Sequence, residues 1–469
     1  MGWRIALDPG SRELAPGVWS GGSPARVVRL SEAGRVVWQR LLDGPVDSAA
    51  AALLARRLTD AGLAHPCPSP IVPGMADATI VVPVRDRAAL LDRCLTALGN
   101  TYPVIVVDDA SHDPDAVAAV ASAHDATVLH RTVNGGPAAA RNTALEKVTS
   151  ELVAFVDSDC VPSPGWIDAL AGHFADPSLA AVAPRITTLA ESTVVGRYAR
   201  AAESLDLGPA PARVAPKTRL SYVPTAALVA RRSALDEVAG PAGVFDPALR
   251  FGEDVDLVWR LHAAGWRVRY DPTVRVGHTA PSTWPALLSR RARYGTSAAP
   301  LALRHPRNIP ALVVDPWPAA TVAALLGRRP LAAATAFAAS ARSTRSMLGA
   351  HDLPTEGMWS HSAGACAKTW LGAGRYATQY AAPLLLAGLL AGGRRRWGRR
   401  AALASLLAGP GLVAWATRRP GIDPFRYVAA TIADDVAYGA GVWAGCVKHR
   451  TIRPLRPIVM GHNRKRGRA

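Results

Sequence analysis

Little in this chain could cross-link it. Among 469 residues there are five cysteines (Cys67, Cys94, Cys160, Cys366 and Cys446), odd in number and widely scattered. No Cys-x-x-Cys or Cys/His ligand spacing occurs, which leaves no basis for a disulfide framework or a structural zinc site and fits a reducing compartment. The start, Met1 to Gly17, has no apolar run of signal-peptide type, so the N-terminus is expected not to be exported. Two apolar stretches near the other end, Tyr380 to Gly393 and Ala401 to Ala416, are shorter than a membrane-spanning helix. No Gly-Lys-Ser/Thr ending is present to make a Walker loop, and no internal repeat indicates a solenoid.

What is present is enough apolar material, 49% of residues, for a large core in two or three domains. The formal charge of +18 is unevenly spread. From Ala286 onward there are 27 Lys and Arg against 6 Asp and Glu, a surplus of 21, so the preceding residues sum to −3. A basic segment interleaved with Ala- and Leu-rich stretches suits an anionic membrane surface better than a nucleic-acid groove. An Arg-favouring genome would produce the same bias without any partner.

Patterning divides the chain into an N-terminal unit (1–70), a linker (71–77), a middle domain (78–285) and a helical, basic region (286–469). In the first unit, Ala25 to Leu30 reads as a strand. Ser31 can cap a helix with Val37, Trp38, Leu41 and Leu42 on one face. Asp47 or Ser48 can cap a second helix with Leu53, Leu54 and Leu58 inward and Gly62 at its end. Pro-rich His65 to Met75 reads as connecting chain. The middle domain alternates unbroken apolar strands (Thr79–Val84, Val104–Asp109, Thr127–His130, Leu152–Asp157) with helices (Ala88–Leu98, near Ala116–Ala123, Ala138–Lys147). That alternation predicts an α/β fold with a mainly parallel sheet, whose ligands bind at the carboxyl ends of the strands.

Acidic side chains cluster at those ends: Asp86, the pair Asp108-Asp109, and Asp157-Ser158-Asp159. Carboxylates can hold a diphosphate through a divalent cation with oxygen preference, Mn2+ or Mg2+. Upstream of the last group runs Asn134-Gly-Gly-Pro-Ala-Ala-Ala-Arg-Asn142, a glycine loop opening a helix. Arg141, one turn inside that helix, is expected to fork onto a uracil carbonyl or a phosphate. Phe251-Gly-Glu-Asp254 places two further carboxylates at a helix start, where they serve either chemistry or capping. His278 closes the set after a strand, as a metal ligand or a structural histidine.

The series VPVRDR, VVDDASHD, NGGPAAARN, FVDSDC and FGEDVDLVWRL resembles the large inverting glycosyltransferase family 2, in order and spacing, over about 200 residues. The resemblance implies a GT-A nucleotide-sugar domain and a UDP-sugar donor. It assigns uridine contacts to Pro83, Arg85, Asp86 and the Asp108-Asp109 region, with Arg141 near the base. It gives Asp157, Ser158 and Asp159 the nucleotide-sugar and metal role, makes His278 a metal ligand, and makes Asp254 the base that deprotonates the acceptor, with Glu253 positioning. The first motif departs from the family by reading Val-Arg-Asp, and the Gln-x-x-Arg-Trp signature of processive synthases is absent.

Residues 1–70 resemble the small winged-helix-like PqqD-type domains that bind peptides. Joined to a family-2 transferase, they resemble the arrangement of mycofactocin-system glycosyltransferases. That implies β-1,4-linked glucose moved from UDP-glucose to a peptide-derived redox cofactor, premycofactocin. The alternatives are a cell-wall or lipid-linked acceptor of rhamnosyl- or galactosyltransferase type, or an inactive peptide-binding scaffold. A hairpin of the two C-terminal apolar stretches would put Arg394, Arg395, Arg396, Arg399 and Arg400 on the outer side, against the positive-inside rule. Helices lying in the membrane interface are therefore expected, with the catalytic domain at the cytoplasmic face; the alternatives are a weakly inserted hairpin or soluble helices packed against the catalytic domain.

Overall fold

The computed structural model describes residues 3–69, 71–189, 192–202, 204–306, 308, 312–349, 355–391 and 397–459. They form two compact units, one of residues 1–189 and 203–280, the other of 190–202 and 281–469.

The first unit opens with β1 (Arg4–Leu7), then a meander of β2 (Arg12–Ala15), β3 (Val18–Gly21) and β4 (Arg26–Arg29). Helices α1 (Glu32–Asp43) and α2 (Ala49–Ala61) follow, each N-capped by a serine, Ser31 and Ser48. Of the residues expected inward, Trp38, Leu41 and Leu58 are buried, whereas Leu42 and Leu53 are exposed. The inner face of α2 uses alanines instead: Ala51, Ala55 and Ala61 pack with Leu58. Gly62 ends α2 in the left-handed region at φ 72°, as its position predicts. The expected linker starts later than its prolines imply, because β5 (Ala64–Cys67) pairs antiparallel with β1.

Three arginines of the following domain close on the end of α2. Arg213 donates to the Asp60 carbonyl (2.7 Å), Arg269 to the Thr59 carbonyl (3.3 Å) and Arg267 to the Asp60 carboxylate (2.6 Å). Cationic groups meet the carbonyl end of a helix, where partial negative charge collects.

The large sheet contains β6 (Ala78–Val84), β7 (Val104–Asp109), β8 (Thr127–Arg131), β9 (Leu152–Val156), β10 (Cys160–Pro162), β11 (Leu179–Thr188), β12 (Ala212–Val214), β13 (Ala227–Arg231) and β14 (Arg267–His278). Its order is β10-β14-β11-β13-β9-β6-β7-β8, with β12 beside β14. Strands β8, β7, β6 and β9 are mutually parallel, and β11 runs parallel to β14, which gives the mainly parallel centre that the alternating pattern predicts. Strand β13 reverses between β9 and β11. Every residue of β6, β7 and β9 is buried, so these strands are apolar without alternation. Around the sheet lie α3 (Ala88–Leu98), α4 (Pro114–Ala123), α5 (Pro137–Leu145), α6 (Trp166–Ala171), α8 (Arg232–Glu237) and α9 (Glu253–Ala263). Helix α7 (Val194–Ala201), which precedes α8 in the chain, belongs to the second unit.

That second unit adds α10 (Trp284–Thr296), α11 (Ala298–Arg304), α12 (Pro316–Leu326), α13 (Pro330–Gly349), α14 (Met358–Leu390), α15 (Trp397–Arg418) and α16 (Pro424–Lys448). The strands β15 (Val313–Val314) and β16 (Ile458–Val459) pair in parallel. Helix α14 is much longer than its apolar end from Tyr380 predicts, and it kinks at Ala381, two residues before Pro383. In mid-α16, Asp434 is buried against the Arg291 fork of α10 (2.6 and 2.9 Å). Among the described residues no helix is long and apolar enough to cross a membrane. Arg394, Arg395 and Arg396 lie outside the described residues, while Arg399 and Arg400 belong to α15.

Candidate active site

Parallel β6, β7 and β9 end together, and their last residues carry the predicted acids to one sheet edge. Pro83 is buried in β6 opposite Val107. Arg85 and Asp86 leave the strand exposed, with Asp86 at φ 53°. The Asp86 carboxylate accepts the His112 backbone N–H (2.6 Å) and lies 2.9 Å from His112 Nδ1. Those bonds, with the charges of His112 and Arg85, hold its pKa below the ordinary carboxylate value. Asp108, wholly buried, accepts the Ser111 N–H (3.0 Å) and sits 3.1 Å from His130 Nδ1.

Asp109 departs from expectation. Its carboxylate accepts from Arg131 Nε (2.9 Å) and from the backbone N–H groups of Gly135 (2.9 Å) and Gly136 (2.6 Å), so it pins the glycine loop from beneath. Both of its oxygens are therefore engaged within the protein, fixing the loop. Gly136 adopts φ 80°, a left-handed conformation that favours glycine. Pro137 occupies the first turn of α5, as its fixed φ favours.

Arg141 is 2% exposed, and its fork is spent on two carboxylates: one terminal nitrogen donates to Asp157 (2.7 Å), the other to Glu253 (2.8 Å). The guanidinium stacks over Phe245, 5.6 Å from the ring centre. One side chain thus ties the Asp157-Ser158-Asp159 turn to the start of α9, reaching Glu253 from 112 residues away in the chain.

That turn is closed by the Cys160 N–H donating to the Asp157 carbonyl (2.9 Å), with Ser158 buried inside it. Cys160 pairs with His278 across β10 and β14, which brings His278 Nε2 to 3.8 Å from Asp159 Oδ2. The same oxygen accepts from Arg87 (3.1 Å). Among the described residues no group of three or more His, Cys, Asp or Glu surrounds a common point as a metal cage would. Asp159 and His278 are instead a two-donor corner.

At the other end of the Arg141 bridge, Gly252 caps α9 at φ 81° and turns Glu253 and Asp254 into the site. Glu253 is buried, and burial raises its pKa despite Arg141. Burial, followed by the charge of adjacent Glu253, pushes the Asp254 carboxyl up to about 7. Capping alone does not explain this pair, because the Asp254 carboxylate accepts only the next residue's N–H, that of Val255 (2.8 Å), among the bonds seen. Sequence reasoning missed Arg87, His112, His130 and Phe245. The two histidines follow acidic strand ends within the same motifs or the next strand, which was a usable signal.

The sequence profile of Glycosyl transferase family 2 matches residues 79–238. A Pre-mycofactocin glycosyltransferase of Mycobacterium tuberculosis is 40% identical over 486 aligned positions, covering 98% of both chains. Glycosyltransferase AglE of Haloferax volcanii is 32% identical over 99 residues, covering 19% of this chain and 33% of its own. Among solved structures, a mannosyltransferase of Pyrobaculum calidifontis in complex with GDP-Man and Mn2+ covers 82% of this chain and 89% of its own, at 19% identity and a TM-score of 0.45.

Proposed function

The chain belongs to glycosyl transferase family 2, and from that premise we propose that it is an inverting, divalent-metal-dependent enzyme moving glucose from UDP-glucose to premycofactocin in β-1,4 linkage. The observation carrying the chemistry is the Arg141 bridge, which holds the donor turn and the α9 acids at one edge.

Inversion requires one base on the acceptor side and no covalent intermediate. Asp254, its carboxyl raised to about 7, suits that role, because about half of it is ionised at neutral pH and the ionised form takes a proton readily from the attacking hydroxyl. Glu253, clamped by Arg141, fixes the first turn of α9 and keeps charge beside Asp254. At the nucleotide end, Asp108 and Asp86 are oriented by Ser111, His130 and His112 toward a uridine at the strand ends.

The Asp159–His278 corner fits a divalent ion that takes its remaining ligands from diphosphate and water, since it offers one hard oxygen and one imidazole nitrogen. Mn2+ accepts that pairing more readily than Mg2+. Such an ion, when bound, neutralises charge on the departing UDP.

The acceptor reading is supported by the relative, whose similarity runs through the N-terminal unit as well as the catalytic domain. In this reading that unit, with β4 at a sheet edge, is PqqD-like and recognises the peptide-derived acceptor. The second unit is read as resting on the cytoplasmic face of an anionic membrane. Leu384, Leu386, Leu390 and Trp397 are all exposed near the facing ends of α14 and α15, beside Arg399.

The test combines full-length protein, premycofactocin, UDP-glucose and Mn2+. Expected are products heavier by successive hexoses in mass spectra, with β anomeric couplings by NMR. Transfer to a lipid-linked acceptor with none to premycofactocin overturns the acceptor reading. Co-sedimentation with anionic but not neutral vesicles checks the membrane reading.

A further inference from the structure

Two nitrogen-bearing side chains approach the same oxygen. Asp159 Oδ2 accepts from Arg87 at 3.1 Å and lies 3.8 Å from His278 Nε2. Their settings differ: His278 is held in β14 and buried, whereas the Arg87 side chain is 56% exposed. Arg87 is the residue before α3, and it makes no side-chain cap there, its guanidinium reaching 72 residues along the chain to Asp159 instead. No acidic residue occupies the first turn of α3, so within its own helix Arg87 has no carboxylate competing with Asp159.

We propose that Arg87 is a resident counter-cation, occupying the Asp159 oxygen while the donor is absent and excluding a bare divalent ion from the corner. This rests on the metal reading given above. A guanidinium and a dication cannot both sit against Oδ2 without strong mutual repulsion, so the ion must displace Arg87. A diphosphate offers the displaced guanidinium a second set of oxygens, and an exposed arginine can swing to them at little conformational cost. Metal and nucleotide therefore enter as a pair, each strengthening the binding of the other by the same factor. The arrangement leaves the corner neutralised between turnovers and discourages capture of free metal.

The test is Mn2+ binding to the full-length protein, read from the free-ion signal in electron paramagnetic resonance, with and without UDP. Arg87→Ala and Arg87→Gln are expected to bind Mn2+ about two- to fivefold more tightly than wild type when UDP is absent, the range an exposed ion pair can oppose. In both variants the enhancement of Mn2+ binding by UDP should shrink, and Arg87→Lys should stay near wild type. Unchanged or weaker Mn2+ binding in the two neutral variants overturns the proposal while leaving the metal site intact. Asp159→Asn separates the two failures: if wild type binds no better than Asp159→Asn even with UDP, the metal reading itself falls, and the proposal with it.

Discussion

The two ends of the active-site edge solve the same electrostatic problem differently. At the nucleotide end each acid has its own partners: Asp86 has His112 and Arg85, Asp108 has Ser111 and His130, and Asp109 has Arg131 and two backbone N–H groups. At the acceptor end Glu253 shares one buried arginine with Asp157 of the donor turn, and Asp254 stands beside Glu253 with, among the described residues, a backbone N–H as its hydrogen-bond donor. Carboxylates with several donors each are held in fixed orientations. Asp254, buried with Glu253 beside it, holds a proton more tightly, and a base needs that property. A surplus of negative charge at one end suits taking up a proton; the balance at the other suits holding a ligand in place.

The contrast can be broken most severely at Asp254. Asp254→Asn keeps the shape and removes the base, so kcat should fall by about 10²- to 10⁴-fold while calorimetric UDP affinity is unchanged. Loss of UDP binding in parallel would move Asp254 to the donor side. Next is the shared arginine. Arg141→Ala leaves Glu253 buried without its countercharge, and denaturant unfolding should show a loss of about 3–5 kcal/mol. A loss under 1 kcal/mol would mean the bridge is not what joins the two motifs.

Asp109→Ala should behave as a structural lesion, costing about 1–3 kcal/mol by orphaning two glycine N–H groups, with kcat reduced less than for Asp254→Asn. The smallest effect concerns protons. Because Asp254 must be ionised to act, kcat/KM should rise with pH through an acid limb near 7. A folded-state value above the unfolded one means the native protein holds the extra proton between about 4 and 7, so this group's contribution to stability falls as pH rises across that window. Removing the charge with Asp254→Asn should therefore raise the melting temperature at pH 8, and an unchanged melting point would show that the acid end is not under-matched.

Much of this edge was readable beforehand, for a physical reason. Strand-end acids in Thr79–Val84, Val104–Asp109 and Leu152–Asp157 follow from local pattern, because a parallel strand is apolar until it stops. Partnership is not local. Whether Arg141 meets a phosphate or Glu253, 112 residues away, depends on where α9 docks, and nothing near Arg141 encodes that. Asp109 looked like Asp108 for the same reason; alternate strand residues face opposite sides, and only the glycine loop decides which is used. The antiparallel insertion of β13 and the inward alanines of α2 were hidden because short apolar runs do not report their neighbours.

The three arginines on the end of α2 bear on how this protein can be dissected. Arg269 is 3% exposed, with its pKa pushed down to about 10 by burial, and one carbonyl it serves belongs to Thr59. Cutting the chain after the N-terminal unit would strip that carbonyl away and uncover a wounded catalytic surface, so a dead truncation would say nothing about acceptor recognition. Substitutions on the outward residues of β4, which leave the α2 seam closed, are the informative route.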